Sequence, residues 1–297
     1  MTIHTLGLTP ALDVVYVLDH VEPGRIHRPP VVLKSAGGKS LNVARALALL
    51  ERPVRAIVPL GGHVGALVSD LLADAGVAAD VIPTGAETRL CVTACDTGAG
   101  RLTEFYELVH EVGLPPERLT AELGERLSAV RPGEWLTVSG AVPRDLDPAA
   151  LAGLLAEARG RGVRVALDTH GPALGALLRL APPDLVKVNR AEAAELTGAG
   201  SAIEGARALV ALGARVAVVT DGEAGASAAT ADGHEVAQPP VAEPGLFPVG
   251  SGDCFLAGLV AGLADDEHDT AERLEAALAL AARVAAANAL RPGAAVF

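Results

Sequence analysis

Short apolar runs alternate along the chain with Ala- and Leu-rich stretches of helical spacing. "VRAIVPL" precedes "HVGALVSDLLADAG", and "EWLTVSG" precedes "PAALAGLLAEARGRG". Farther on, "VRVALDT" leads into "PALGALLRLA", and "LVKVN" into "RAEAAELTG". "ARVAVVTDG" passes through a hairpin-like stretch to an apolar helix beginning near Asp253, and the tail "EAALALAARVAAANAL" reads as one more packed helix. Unbroken strands alternating with helices predict βαβ units: an α/β fold with a mainly parallel sheet and helices on both faces. Ligands gather at the carboxyl ends of the strands in such sheets. That rim collects residues 139–140, 168–171, 187–192 and 220–222.

Residues 13–35 and 88–110 break the pattern, because polar and apolar positions alternate there without an intervening helix. They predict hairpins of a small, half-exposed sheet laid over the rim. Such a flap can close on a substrate, or pair through its strand edges with a second copy of the chain as a homodimer. No Ser/Gly linker, repeat or low-complexity block divides the sequence, so residues 1–297 read as a single α/β domain with a β lid.

Composition narrows the partners. Half the residues are hydrophobic and 2% aromatic, so the core is built from Ala, Val and Leu. A net charge of −12 argues against nucleic acid or an anionic membrane as partner. The N-terminal segment lacks the basic region of a signal peptide, and no apolar stretch is long enough for a membrane span. Cys91, Cys95 and Cys254 lie outside any metal-binding spacing and read as reduced thiols, which points to a cytoplasmic protein. Only three lysines occur, Lys34, Lys39 and Lys187, against a supply of arginine. A lysine kept in such a chain suggests a need for a compact ammonium.

Three motifs carry candidate chemistry. In "PVGSGDCFLAGLVAGL", Gly250, Ser251 and Gly252 form a turn able to aim backbone N–H groups at one point, with a helix N-terminus behind them. Asp253 in that place is either an ordinary helix cap or a group that acts on the bound anion. In "AGGKSLNVARAL", Gly37 and Gly38 permit close backbone approach, Lys39 offers a point charge, and Asn42 offers a donor and an acceptor. Gly-Lys-Ser resembles a P-loop in part, but the glycine required six residues earlier is replaced by Leu33. In "LVKVNRAEAAELTG", Asn189 and Glu192 are three apart, which suits either a capping box or the outer shell of a hydrated Mg²⁺. Asp13 after the first strand, with Arg25, Arg28 and Arg89 on the lid side, completes the polar candidates. No G-x-G-x-x-G follows the first strand, which disfavours a nicotinamide dehydrogenase.

Taken in order, "TPALD", "GGKSLNVARAL", "TRL", "VSGAVP", "DTHG", "KVNRAE", "TDGEAGA" and "GSGDCFLAGLVAGL" resemble the phosphofructokinase B family of ribokinase-like sugar kinases over nearly the whole chain. The resemblance implies a ribokinase-like three-layer sandwich and an ATP-dependent phosphotransferase with Mg²⁺. It implies Asp253 as general base with Gly250, Ser251 and Gly252 as anion hole. Asp13, Arg28, Gly37, Gly38, Lys39, Asn42, Arg89 and Ser139 would hold the sugar. Lys187, Asn189, Thr220, Gly222, Gly225 and Asn288 would serve the nucleotide, and Asn189 with Glu192 the metal. Gly-Gly-Lys fits the branch resembling 1-phosphofructokinase and tagatose-6-phosphate kinase, whose substrate is a phosphorylated ketohexose. A 6-phosphofructokinase, a free-sugar or nucleoside kinase, and a silent sugar-binding homologue are the alternatives. Thr9, Ser40, Asp221, Ser251 and Cys254 depart from the usual residues, and Asp221 puts the phosphate contacts beside it in question.

Overall fold

The computed structural model describes residues 1–108, 111–241, 245–264 and 271–297. The elements run β1 (Ile3–Leu6), β2 (Ala11–Leu18), β3 (Val31–Gly37), α1 (Lys39–Leu49), β4 (Val54–Gly61), α2 (Gly62–Asp74) and β5 (Ala78–Thr84). Next come β6 (Arg89–Asp96), β7 (Arg101–Tyr106), α3 (Pro116–Ser128), β8 (Trp135–Ser139), α4 (Pro148–Gly160), β9 (Arg164–Asp168) and α5 (Gly171–Leu180). The chain continues with β10 (Leu185–Asn189), α6 (Arg190–Thr197), α7 (Ala202–Ala211), β11 (Val216–Thr220), β12 (Ala226–Thr230), β13 (Glu235–Gln238), α8 (Ser251–Leu263) and α9 (Ala271–Ala289).

A nine-stranded sheet in the order β13-β12-β11-β10-β9-β8-β1-β4-β5 forms the middle layer. Its pairs are parallel apart from the β11–β12 and β12–β13 hairpins. Successive strand residues face opposite sides, and the sequence fills both. Val216 and Val218 of β11 join one core with α1, α2, α8 and α9. Ala217 and Val219 join the other, with α3, α4, α5, α6 and α7. This is the three-layer sandwich expected, with α3, α7 and β5 in addition to the elements read from the sequence.

The strands end level with one another. Ser139 of β8 pairs with Asp168 of β9, and Asn189 of β10 with Thr220 of β11, so the motif residues share one rim. The second sheet, β3-β2-β6-β7, is the expected lid. Residues 109 and 110 of the proposed lid segment lie outside the described residues. Asp13 follows the first strand β1, as its position in "TPALD" suggested, at the third residue of the next strand. It sits inside β2, the strand that pairs with both β3 and β6.

Candidate active site

The two glycine segments bring α1 and α8 together at the rim. Gly37 ends β3 where the Asp13 carboxyl group passes over it: a Cβ there would lie 2.0 Å from Asp13 Cγ. Only glycine lets the carboxylate of the lid strand approach the backbone so closely. Gly250 caps α8 in a left-handed conformation, φ 78°, and a Cβ would meet Ala294 at 2.5 Å. That turn directs the chain into a helix whose first turn carries Asp253 and whose other residues from Cys254 to Ala261 are all buried.

Asp253 is itself buried, 6% exposed, and accepts a hydrogen bond from Asn42 Nδ2 at 2.9 Å. Burial raises its carboxyl to about 7, with the nearby Asp168 charge adding to the rise. Asn42, Lys39 and Lys187 oppose it. An isolated cap would not need this setting. Asp168, on the rim but not singled out in the sequence, is fully buried. Its Oδ1 accepts from Lys39 Nζ at 2.9 Å and its Oδ2 from Lys187 Nζ at 2.8 Å. Burial alone would raise the Asp168 carboxyl, but the two ammonium groups outweigh it and hold it below its ordinary value. The signal for Asp168 was present in its place at the end of a strand in "DTHG", but a lone carboxylate carries no spacing pattern.

Both lysines turn to the same buried carboxylate. Lys39 turns toward Asp168, with Glu192 Oε1 at 3.6 Å, because these are the counter-charges within its reach. Its surroundings leave it among the groups around Asp253 rather than with the lid arginines. Lys187 is 5% exposed and lies under the glycine turn; a Cβ on Gly252 would come within 3.0 Å of its Nζ. Asn288 is fully buried: its Nδ2 donates to Val249 O at 2.8 Å and to Ser251 Oγ at 3.1 Å. It braces the turn from behind and does not line the cleft described below. Ser251 N donates to Pro248 O, so this N–H is engaged within the turn.

Asn189 and Glu192 form the capping box: Asn189 N donates to Glu192 Oε2 and Glu192 N to Asn189 Oδ1, both at 2.9 Å. Among the described residues no group of three or more His, Cys, Asp or Glu side chains is arranged to hold a metal ion. The pair that remains suits a hydrated ion held through water.

Asn42 Oδ1, Ser139 Oγ and Arg89 Nε are buried with no partner in the protein. Buried polar atoms are ordinarily hydrogen-bonded, so unpaired ones at this rim suit a polar ligand. Arg89 reaches Thr9 O at 3.1 Å and Glu107 O at 3.2 Å. Asp13 is pushed up to about 6, mainly by burial, with Arg45 and Arg89 pulling the other way. Arg25 pairs with Glu22 at 3.8 Å, and Arg28 is exposed on the same segment, so neither joins this group.

A cleft of about 560 Å³ opens from Ser251 and Gly252 along Thr220, Gly222, Gly225 and Phe255. Its walls are largely apolar, which suits an aromatic base whose polar end lies at the helix mouth. Asp221 at its edge is held by Arg190 Nε at 2.9 Å, and this ion pair accounts for a carboxylate where an apolar residue is usual.

A deep carboxylate, two lysines and a glycine turn between an apolar cleft and unpaired polar atoms define a phosphotransferase acting on a hydroxyl. Residues 5–296 match the pfkB family of carbohydrate kinases, and the chain belongs to that family. It is 32% identical over 286 residues to a 1-phosphofructokinase of Xanthomonas campestris pv. campestris, covering 93% of this chain and 89% of that protein. It is 30% identical over 271 residues to the ATP-dependent 6-phosphofructokinase isozyme 2 of Escherichia coli, covering 89% and 86%. The fold superposes on phosphofructokinase-2 from Escherichia coli, crystallised with fructose-6-phosphate, with TM-score 0.85 at 26% identity, over 98% of this chain and 94% of that one.

Proposed function

We propose that the protein transfers the terminal phosphoryl group of ATP to a hydroxyl of an already phosphorylated ketohexose, with fructose 1-phosphate as preferred acceptor. The observation that carries the reading is Asp253: buried at a helix N-terminus, bonded to Asn42 and raised to about 7. A carboxylate whose proton affinity lies near the working pH is suited to take a proton from an attacking hydroxyl. Asn42 fixes one oxygen and leaves the other for that hydroxyl. The backbone N–H groups of Gly252 and Asp253 at the start of α8 receive charge developing on the phosphoryl oxygens. Lys39 adds its charge from α1, Lys187 supports the turn from below, and the Thr220–Gly225 side of the cleft takes the nucleotide. Mg²⁺ would be held through water by Asn189 and Glu192, where it supplies charge neutralisation to the phosphates.

Asp13, Ser139 and Arg89 orient the sugar, and Arg89 meets its phosphate. The overall similarity of the chain to two 1-phosphofructokinases, 32% and 33% identical over most of its length, supports the choice of acceptor. We further propose a homodimer through the lid, whose surface exposes Val31, Val32, Phe105 and Tyr106. No helix among the described residues is long and apolar enough to cross a membrane. Because ATP and sugar phosphates are intracellular metabolites, the reading carries a cytoplasmic setting with it.

The test is turnover against a panel of fructose 1-phosphate, fructose 6-phosphate, tagatose 6-phosphate and free fructose, with Asp253→Asn as control. The variant should keep its fold and ATP affinity and lose at least about 10²-fold in kcat, the scale of a positioned base. Full turnover in a folded Asp253→Asn protein would return the residue to a capping role. A wild-type preference for free fructose would remove the phosphosugar assignment.

A further inference from the structure

We propose that Asp168 is a positioning residue whose two oxygens hold Lys39 and Lys187 at fixed points on either side of the reaction centre. The proposal rests on the kinase reading of this site and names what organises it. Four observations carry it. Asp168 is wholly buried at the end of β9. Each of its oxygens accepts from a different lysine, at 2.9 and 2.8 Å. The lysines come from different elements, α1 and β10, so no local structure sets their spacing. The ammonium of Lys187 lies against Gly252, while that of Lys39 is 3.6 Å from Glu192.

Long flexible lysine side chains lose much of their conformational freedom when held in one place. A shared buried carboxylate meets that cost before substrate arrives, which is the preorganisation an electrostatic site needs. It also keeps two ammonium groups from repelling one another in a dry interior, where an uncompensated charge is strongly unfavourable. Asp168 therefore sets two things together: where the positive charges stand, and how strongly Asp253 holds its proton. The charged and polar groups that act on Asp253 are Asp168 from β9, Lys187 from β10, and Lys39 and Asn42 from α1, with the Cys254 thiol beside it on α8.

The experiment follows the Asp253 carboxyl by ¹³C NMR titration of the ligand-free protein, assigned with Asp253→Asn, in wild type, Asp168→Asn and Lys39→Gln. Asp168→Asn takes away a negative neighbour and should move the Asp253 midpoint to lower pH. Lys39→Gln takes away a positive one and should move it to higher pH. The acid limb of kcat/KM should follow in the same two directions, and Asp168→Asn should lower kcat by at least about tenfold. Opposite movements of this kind are not produced by a purely structural role. Should Asp168→Asn not fold, Asp168→Glu carries the test: it keeps the negative charge but shifts the oxygens that hold the two ammonium groups, so kcat should still fall several-fold, and full kcat in the folded variant overturns the proposal. Midpoints unmoved in the folded variants, or moved the same way, overturn the proposal. The NMR readout needs no turnover, so a failure of the kinase reading appears separately, as a panel without phosphoryl transfer.

Discussion

Asn42 Nδ2 donates to Asp253 Oδ2 across 2.9 Å, joining two buried side chains 211 positions apart in the sequence. The bond fastens the start of α1 to the start of α8, the two helices that follow the glycine segments. It orients the carboxylate without neutralising it, because an amide donor stabilises the charged form only in part, and burial still dominates.

Activity and stability should therefore respond to pH in opposite directions. A general base must be ionised, so turnover rises as pH climbs through the Asp253 value of about 7. In the unfolded chain an aspartate titrates near about 3.9. Between the two values the folded protein holds a proton that the unfolded chain has released, so this group's contribution to stability falls as pH rises from about 4 to about 7. Asp13, raised to about 6, acts in the same sense over a narrower window. Urea melts of wild type and Asp253→Asn across that range isolate the contribution as their difference. A difference that grows in favour of wild type as pH rises would contradict the burial argument.

The capping box at the start of α6 allows the metal role to be separated from the structural one. Glutamine keeps an oxygen to accept from Asn189 N, so Glu192→Gln should preserve the helix while removing the charge. If Glu192 helps hold hydrated Mg²⁺, the variant should need several-fold more Mg²⁺ for half-maximal rate. An unchanged Mg²⁺ titration would leave Glu192 with capping alone.

Lid and rim differ in how much of them the sequence disclosed. The strands from β8 to β11 were legible because each is a short apolar run fixed between turn residues and a helix. The lid was legible from alternation alone. Helix α3 was missed because it is rich in charge and buries only Leu119, Leu123 and Leu127, a narrow stripe four residues apart. The site residues adjoining glycine turns, Asn42 and Asp253, were found by their motifs. The partners of Lys39 and Lys187 were not, since Asp168 meets them only after β9 and β10 pair and α1 packs on the rim. Side-chain direction is the property that local pattern does not carry: Asn288 reads as a polar residue near a cleft, yet its amide is turned to the back of the Val249–Ser251 turn.

The exposed lid face predicts self-association. Val31, Val32 and Leu33 on the edge strand β3 are 37–46% exposed, and Phe105 and Tyr106 on the opposite edge are at least half exposed. Edges left open in this way invite pairing with another chain. Light scattering should give a two-chain mass for wild type and a one-chain mass for Val32→Glu. A wild-type protein that remains monomeric at high concentration would count against the lid as an interface.

The last test separates the two ends of the site. Arg89 has a buried Nε without a partner in the protein, and its other nitrogens donate to backbone carbonyls, so it keeps a free donor for an anion on the sugar while its charge also acts on Asp13. Lys39 is bonded to Asp168, among the groups around Asp253. A charge-assisted hydrogen bond contributes about 1.5–3 kcal/mol. Losing one therefore lowers kcat/KM by roughly 10- to 150-fold, at about 1.4 kcal/mol per factor of ten. Arg89→Met should lose that factor on fructose 1-phosphate and little on free fructose, because the free sugar has no phosphate to meet. Lys39→Met should lose comparable factors on both, since each acceptor receives the same phosphoryl group. The ratio of the two losses cancels general damage to the fold. If the pattern came out reversed, with Lys39 discriminating between the acceptors and Arg89 not, the lysine would belong to the sugar phosphate after all, and its bond to Asp168 would be a resting state that substrate breaks.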